Sequence, residues 1–158
     1  MILLALDPGH KTTGVIRLYP TNMEIITVID ALPNERVFDE YAHAYVIVCE
    51  QIVIPGRAGR ETYQTAEWFG RFQQRAIDSG IPFYGMRRPS VVNHLVAQCP
   101  RPLPKTADAR VRRALKTRFS ADELKGVTGH AMAALALAVT YLDSQNARAR
   151  FNRVDNNA

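Results

Sequence analysis

Two acids close apolar runs in this chain: Asp7 ends ILLALD and Glu50 ends YVIVCE. A carboxylate at the end of a strand buried on both faces is costly unless it is paired or bound to a cation. If the two strands are parallel neighbours, their ends lie about 5 Å apart. Carboxylates that close repel each other unless a cation comes between them, and hard oxygen donors select Mg²⁺ or Mn²⁺. A third cluster, GHAMAALALAVTYL, begins with Gly129 and His130. Its helix is apolar nearly all round and must be buried against a sheet. From the first turn His130 can face the strand ends, and residue 133 shares its face one turn later. Imidazole suits Mn²⁺ better than Mg²⁺. The plainer alternatives are strand-capping acids near solvent and a structural histidine.

The elements that must position these residues follow from patterning. Residues 2–7 are a continuous apolar run, broken by Pro8 and Gly9. Strands over 14–19 and 23–29 follow with short turns, which implies an antiparallel meander. A helix over about 35–44, with Val37, Tyr41 and Ala44 on one face, leads to a fourth strand over 45–50. Strands one and four are apolar throughout, as parallel central strands are. Further along come a helix over about 62–79, a short strand over 82–84 and a helix from Pro89 to about Gln98. After a three-proline segment, 99–104, two helices cover about 107–119 and 129–144. The tail 145–158 is polar and basic and is expected to fray.

This order predicts one α/β domain over residues 1–144 with a ribonuclease H-like, mixed five-stranded sheet. Strands 1–3 form the antiparallel meander, strands 4 and 5 run parallel, and helices flank the sheet. The first three strands lie to one side and the later ones to the other. Asp7 and Glu50 therefore meet at a topological switch point, where ligands of open α/β sheets gather. The segment DPGHKTTG at residues 7–14 also resembles the first phosphate loop of the actin and sugar-kinase superfamily. That fold needs two such domains and a chain more than about twice this length.

Composition narrows the partners. The chain has 158 residues, 47% of them apolar and 22% charged, as befits a single ordinary domain. No apolar run approaches the roughly 18–20 residues of a membrane span. The first ten residues lack a basic n-region and a cleavage site and read as a strand, not a signal peptide. Cys49 and Cys99 have no CxxC spacing, which fits two ordinary thiols in a reducing cytoplasm. The net charge of +5 is unevenly spread: residues 1–56 carry three basic and seven acidic side chains, and the rest carry seventeen and eight. A surplus of that kind favours a polyanionic partner, because neutralised phosphates release counterions.

Taken in order, LALDPGHKTTGV, VIVCEQIVI, KTADARVRRALKTRF and GHAMAALALAVTYL resemble the RuvC-type Holliday-junction resolvases, in particular the small phage-encoded branch. The matching pieces span residue 2 to about 142. No single piece is diagnostic; the ordered set is. The resemblance implies a homodimer that recognises four-way DNA and cuts it by two-metal hydrolysis, with two Mg²⁺ or Mn²⁺ ions per site. By that resemblance Asp7 is the metal-bridging carboxylate, Glu50 the second carboxylate and His130 the third ligand position. A fourth position, normally Asp, is Ala133 here, which implies a weakened second site and a slow or inactive enzyme. A non-catalytic binder of branched DNA is the alternative. The family also often carries an aromatic three residues after the glutamate, where this chain has Val53.

For gripping DNA, the helix at 107–119 turns Val111, Ala114, Leu115 and Phe119 inward. Arg110, Arg112, Arg113, Lys116 and Arg118 remain on its other faces, with Lys105 at its approach. Beside a phosphodiester-cleaving site, Lys105, Arg110, Arg113 and Lys116 are the expected backbone contacts. Arg57 and Arg60, in the flexible basic loop after Glu50, are expected to join them.

Overall fold

A computed structural model of the chain describes residues 1–54, 56–97 and 99–155. Five strands form one sheet in the order β3-β2-β1-β4-β5: β1 (Ile2–Pro8), β2 (Thr12–Tyr19), β3 (Glu24–Pro33), β4 (Ala44–Glu50) and β5 (Phe83–Met86). β1 pairs antiparallel with β2 and parallel with β4; β2–β3 is antiparallel and β4–β5 parallel. This is the mixed ribonuclease H-like sheet the sequence predicts, with β1 at its centre.

Strand alternation sorts the apolar residues into two cores. Leu3 and Ala5 of β1, Ile16 and Leu18 of β2, and Val46 and Val48 of β4 face one side, where α2 (Arg88–Val96), α3 (Ala107–Lys116) and α4 (Gly129–Asp155) pack. Leu4, Leu6, Val15, Ile47 and Cys49 face the other, under α1 (Arg60–Asp78) and a 3₁₀ segment, Asn34–His43. By the same alternation Gly14, Asp7 and Glu50 belong to the α4 side. Both halves of β1 and β4 are covered because helices sit on both faces of the sheet, which explains their continuous apolar sequence.

Several boundaries differ from the sequence reading. The expected helix at 35–44 is 3₁₀, held by Val37 and Tyr41 inserted in the second core rather than by its own propensity. β3 runs on to Pro33, because it stays paired with β2 as far as Thr12. α3 ends at Lys116, where the Thr117 hydroxyl donates to the Ala114 carbonyl and interrupts the ladder. α4 continues to Asp155, past the expected end at 144. Ala147, Arg148 and Ala149 are good helix formers and no Gly or Pro interrupts them. Gln98, the expected end of the helix from Pro89, Pro55 of the basic loop and residues 156–158 of the tail lie outside the described residues.

Candidate active site

The parallel β1–β4 register sets Leu6 opposite Cys49, so Asp7 and Glu50 are the next residues of adjacent strands. Both are nearly buried, at 6% and 9% exposure. They line one cleft of about 780 Å³ together with Arg88, Asp108, Arg112, His130 and Ala133. The cleft opens at the carboxyl ends of β1 and β4, the switch point of the sheet.

His130 reaches this place because β2 and α4 touch. An added Cβ on Gly14 would lie 2.3 Å from the His130 carbonyl carbon and 2.5 Å from its oxygen. Only glycine permits the first turn of α4 to rest on β2 there. On the other flank the Asp30 carboxylate accepts a hydrogen bond from the Ala131 amide at 2.9 Å. A carboxylate beside the first turn satisfies one unpaired N–H and complements the helix dipole. Between these two supports His130 places Nδ1 2.6 Å from Asp7 Oδ2. Its ring is half exposed and so stands between the buried acid and solvent.

The turn after Asp7 is fixed by a buried asparagine. Asn34 accepts from the Thr13 hydroxyl at 2.7 Å and donates to the Gly9 carbonyl at 3.0 Å; its own amide donates to the Lys11 carbonyl at 3.1 Å. Thr13 is fully buried, so the TTG segment is the packed start of β2 and not an open cradle for nucleotide phosphates.

Electrostatically the acid pair is under-compensated. Burial first, then the hydrogen bond and the repulsion it shares with Asp7, push the Glu50 carboxyl up to about 8; Arg88 opposes the shift. The guanidinium of Arg88 stands 3.4 Å from Glu50 Oε2, a long contact, and 2.5 Å from Asp108 Oδ1, a short one.

This donor set fits one divalent cation between Asp7 and Glu50, two nearly buried carboxylates at the ends of adjacent strands. Among the described residues, no group of three or more His, Cys, Asp or Glu side chains is placed to hold a metal ion, so the expected set Asp7, Glu50 and His130 is not gathered as one ligand group. An ion here would complete its shell with water and phosphate oxygens, which is the habit of Mg²⁺. Ala133 lines the same cleft as His130, as its spacing predicts, and offers no ligand to a second ion.

The expected DNA contacts fall differently. Arg110 donates to the carbonyls of Pro104 at 2.7 Å and Lys105 at 3.3 Å, and Arg113 to that of Pro102 at 2.6 Å. Both staple the 102–105 segment to α3, which ordinary charge counting does not reveal. Arg118 is drawn inward to Asp143. The α3 cation that enters the cleft is Arg112. Lys105, Lys116, Arg57 and Arg60 are exposed and are not among the residues lining the cleft. Val53 is exposed at 59%.

Arg88, Asp108, Gly14 and Asn34 escaped the sequence reading. A trace of Arg88 exists in the sequence, since it precedes Pro89 at a helix start directly after a predicted strand. Asp108 carries no such mark.

No protein-family model matches the chain, and no curated protein matches it. Solved structures do. The structure of Thermus thermophilus RuvC superposes with a TM-score of 0.63 at 18% identity, covering 93% of this chain and 97% of that one. T. thermophilus RuvC in complex with Holliday junction substrate superposes with a TM-score of 0.61 at 17% identity, covering 92% and 95%. Over almost its whole length, this chain has the fold of RuvC.

Proposed function

We propose that this protein is a structure-specific endodeoxyribonuclease that resolves four-way DNA junctions by divalent-metal-dependent phosphodiester hydrolysis, acting as a homodimer. One observation carries the reading: Asp7, Glu50 and His130 meet in a single cleft at the switch point of a RuvC-like sheet. The similar T. thermophilus protein was captured on a Holliday junction, which makes branched DNA the first substrate to try.

Asp7 and Glu50 would hold Mg²⁺ or Mn²⁺, which when bound lowers the pKa of water and neutralises phosphate charge. The remaining chemistry belongs to the chain. Asp7, on Nδ1 of His130, fixes the orientation of the imidazole. The ring's Nε2 takes a proton from the attacking water as its oxygen bonds to phosphorus. The P–O3′ bond breaks in line, the 3′-oxygen takes a proton from solvent, and a 5′-phosphate remains. A second ion would lack a carboxylate at residue 133, so turnover is expected to be slow.

The direct test compares a synthetic four-way junction with linear duplex of the same arm sequence, in Mn²⁺ and in EDTA. Paired nicks in the junction alone, lost in EDTA, are expected. Equal cutting of linear duplex would replace this reading with a general nuclease. Ala133 favours one alternative, a binder of branched DNA that does not cut; tight junction binding with no product in Mn²⁺ would establish it.

A further inference from the structure

We propose that Arg88 is a catalytic residue: released from Glu50, its guanidinium takes the non-bridging oxygens of the scissile phosphate, supplying charge that residue 133 cannot recruit through a second ion. The inference rests on the nuclease reading above and adds to it a substrate contact made by the chain itself.

The position of Arg88 is set by the sheet. Met86 of β5 pairs with Glu50 of β4, and two residues later the chain enters α2 at Arg88. Arg88 thus stands at the carboxyl end of the strand next to Glu50, in the same crevice as Asp7. Of the side chains lining the cleft, Arg88 and Arg112 are the permanent cations. Arg88 is the one that also contacts the acid pair, through Glu50.

Its two contacts are unequal. The 2.5 Å pair with Asp108 is firm, while the 3.4 Å contact with Glu50 lies beyond an ordinary charge-assisted hydrogen bond. Asp108 is largely exposed and Glu50 nearly buried, with Arg88 between them at 43% exposure. A cation held by Glu50 would compete for the loose end and leave the firm one in place. The freed face of the guanidinium then points into a cleft shared with Asp7 and His130. A planar fork of donors is suited to two phosphate oxygens at once, as the point charge of lysine is not. During cleavage Arg88 exchanges no proton; it neutralises charge on oxygens that keep their bonds to phosphorus.

A structural role, neutralising Glu50, is the competing explanation, and a cycle of variants separates the two. Binding of a synthetic four-way junction would be measured in EDTA across a salt series for wild type, Arg88→Gln, Glu50→Gln and the double variant, with melting curves for each. With Glu50→Gln releasing Arg88 in the absence of a cation, a phosphate contact predicts that adding Arg88→Gln weakens binding roughly tenfold and flattens the log K against log salt slope by about 0.9. In that background no charge remains on residue 50 to neutralise, and the melting curves report whether the double variant folds. Arg88→Lys should keep the slope yet cut more slowly in single-turnover assays with Mn²⁺. Equal affinity and slope for Glu50→Gln and the double variant would overturn the proposal, as would full-speed cleavage by Arg88→Lys. If linear duplex binds as tightly as the junction, the junction reading fails while the Arg88 comparison is read on duplex. Absence of any DNA binding would sink both.

Discussion

Two clusters in this protein use the same residue types to opposite ends. In one, His94 Nε2 lies 2.7 Å from Asp143, and Arg118 grips the same carboxylate with both terminal nitrogens, at 2.8 and 2.7 Å. In the other, His130 lies 2.6 Å from Asp7, and Arg88 stands 3.4 Å from Glu50. The first gives one carboxylate two partners, His94 on α2 and Arg118 just after α3, and so ties both segments to α4. Hydrogen bonds from Arg118 and His94 outweigh burial and hold the Asp143 carboxyl below its ordinary range. The second gives two adjacent buried carboxylates one loose arginine, and the Glu50 carboxyl rises to about 8. Residue types are shared between the two clusters; the local balance of charge separates them.

The largest expected difference comes from removing the aspartate in each cluster. Asp7→Asn is expected to lower junction cleavage by about a thousandfold or more, since a metal-bridging ligand can supply several kcal/mol of transition-state stabilisation. It should also abolish Mn²⁺ binding by calorimetry while leaving junction binding intact or tighter. Asp143→Asn should instead lower stability by about 2 kcal/mol in denaturant titrations and leave Mn²⁺ binding unchanged. Cleavage surviving Asp7→Asn, or Mn²⁺ binding lost with Asp143→Asn, would reverse the assignment of the two clusters.

Next in size is the gap at residue 133. Ala133→Asp should speed single-turnover junction cleavage by about ten- to a hundredfold, as a second ion gains a ligand. Without metal the added carboxylate carries a burial penalty of about a few kcal/mol, so Mn²⁺ should raise the melting temperature of this variant more than that of wild type. A variant that folds, binds the junction and cuts no faster would show that residue 133 is not a ligand position.

The Glu50 carboxyl makes stability depend on pH. Its value rises from 4.5 to about 8 on folding, so between these limits the folded state holds the extra proton. Stability is then complete below about pH 4.5 and falls as pH rises through 8. The metal-free melting temperature should decline across this window by more in wild type than in Glu50→Gln. Mg²⁺ should offset the decline above pH 7. A flat profile, or the same profile in Glu50→Gln, would show that this acid pair is already compensated.

The smallest effect is expected on the basic surface. Arg110→Gln with Arg113→Gln should flatten the salt dependence of DNA binding by up to about two units of slope. Both arginines hold backbone carbonyls of residues 102–105, so the same change should increase hydrogen exchange of that segment. Altered exchange with an unchanged slope would leave them as staples alone.

The sequence by itself determined the order of strands and helices, the burial of β1 and β4 on both faces, and the meeting of Asp7 and Glu50 at the strand ends. These are periodic or punctuated features: apolar runs that end in an acid, proline breaks, and a helix apolar on all sides. A strand period of two also set Asp7, Glu50 and Gly14 on one face once the pairing was known. Tertiary structure alone decided where the cations go. Arg110 and Arg113 turn back on their own loop, Arg118 on a distant helix, and Arg88 reaches across to Glu50 and Asp108. A long side chain takes whichever partner lies within its reach in space, and that distance has no period along the chain. For the same reason the close approach of Gly14 to His130, 116 residues apart in sequence, became visible only when the helix lay on the sheet.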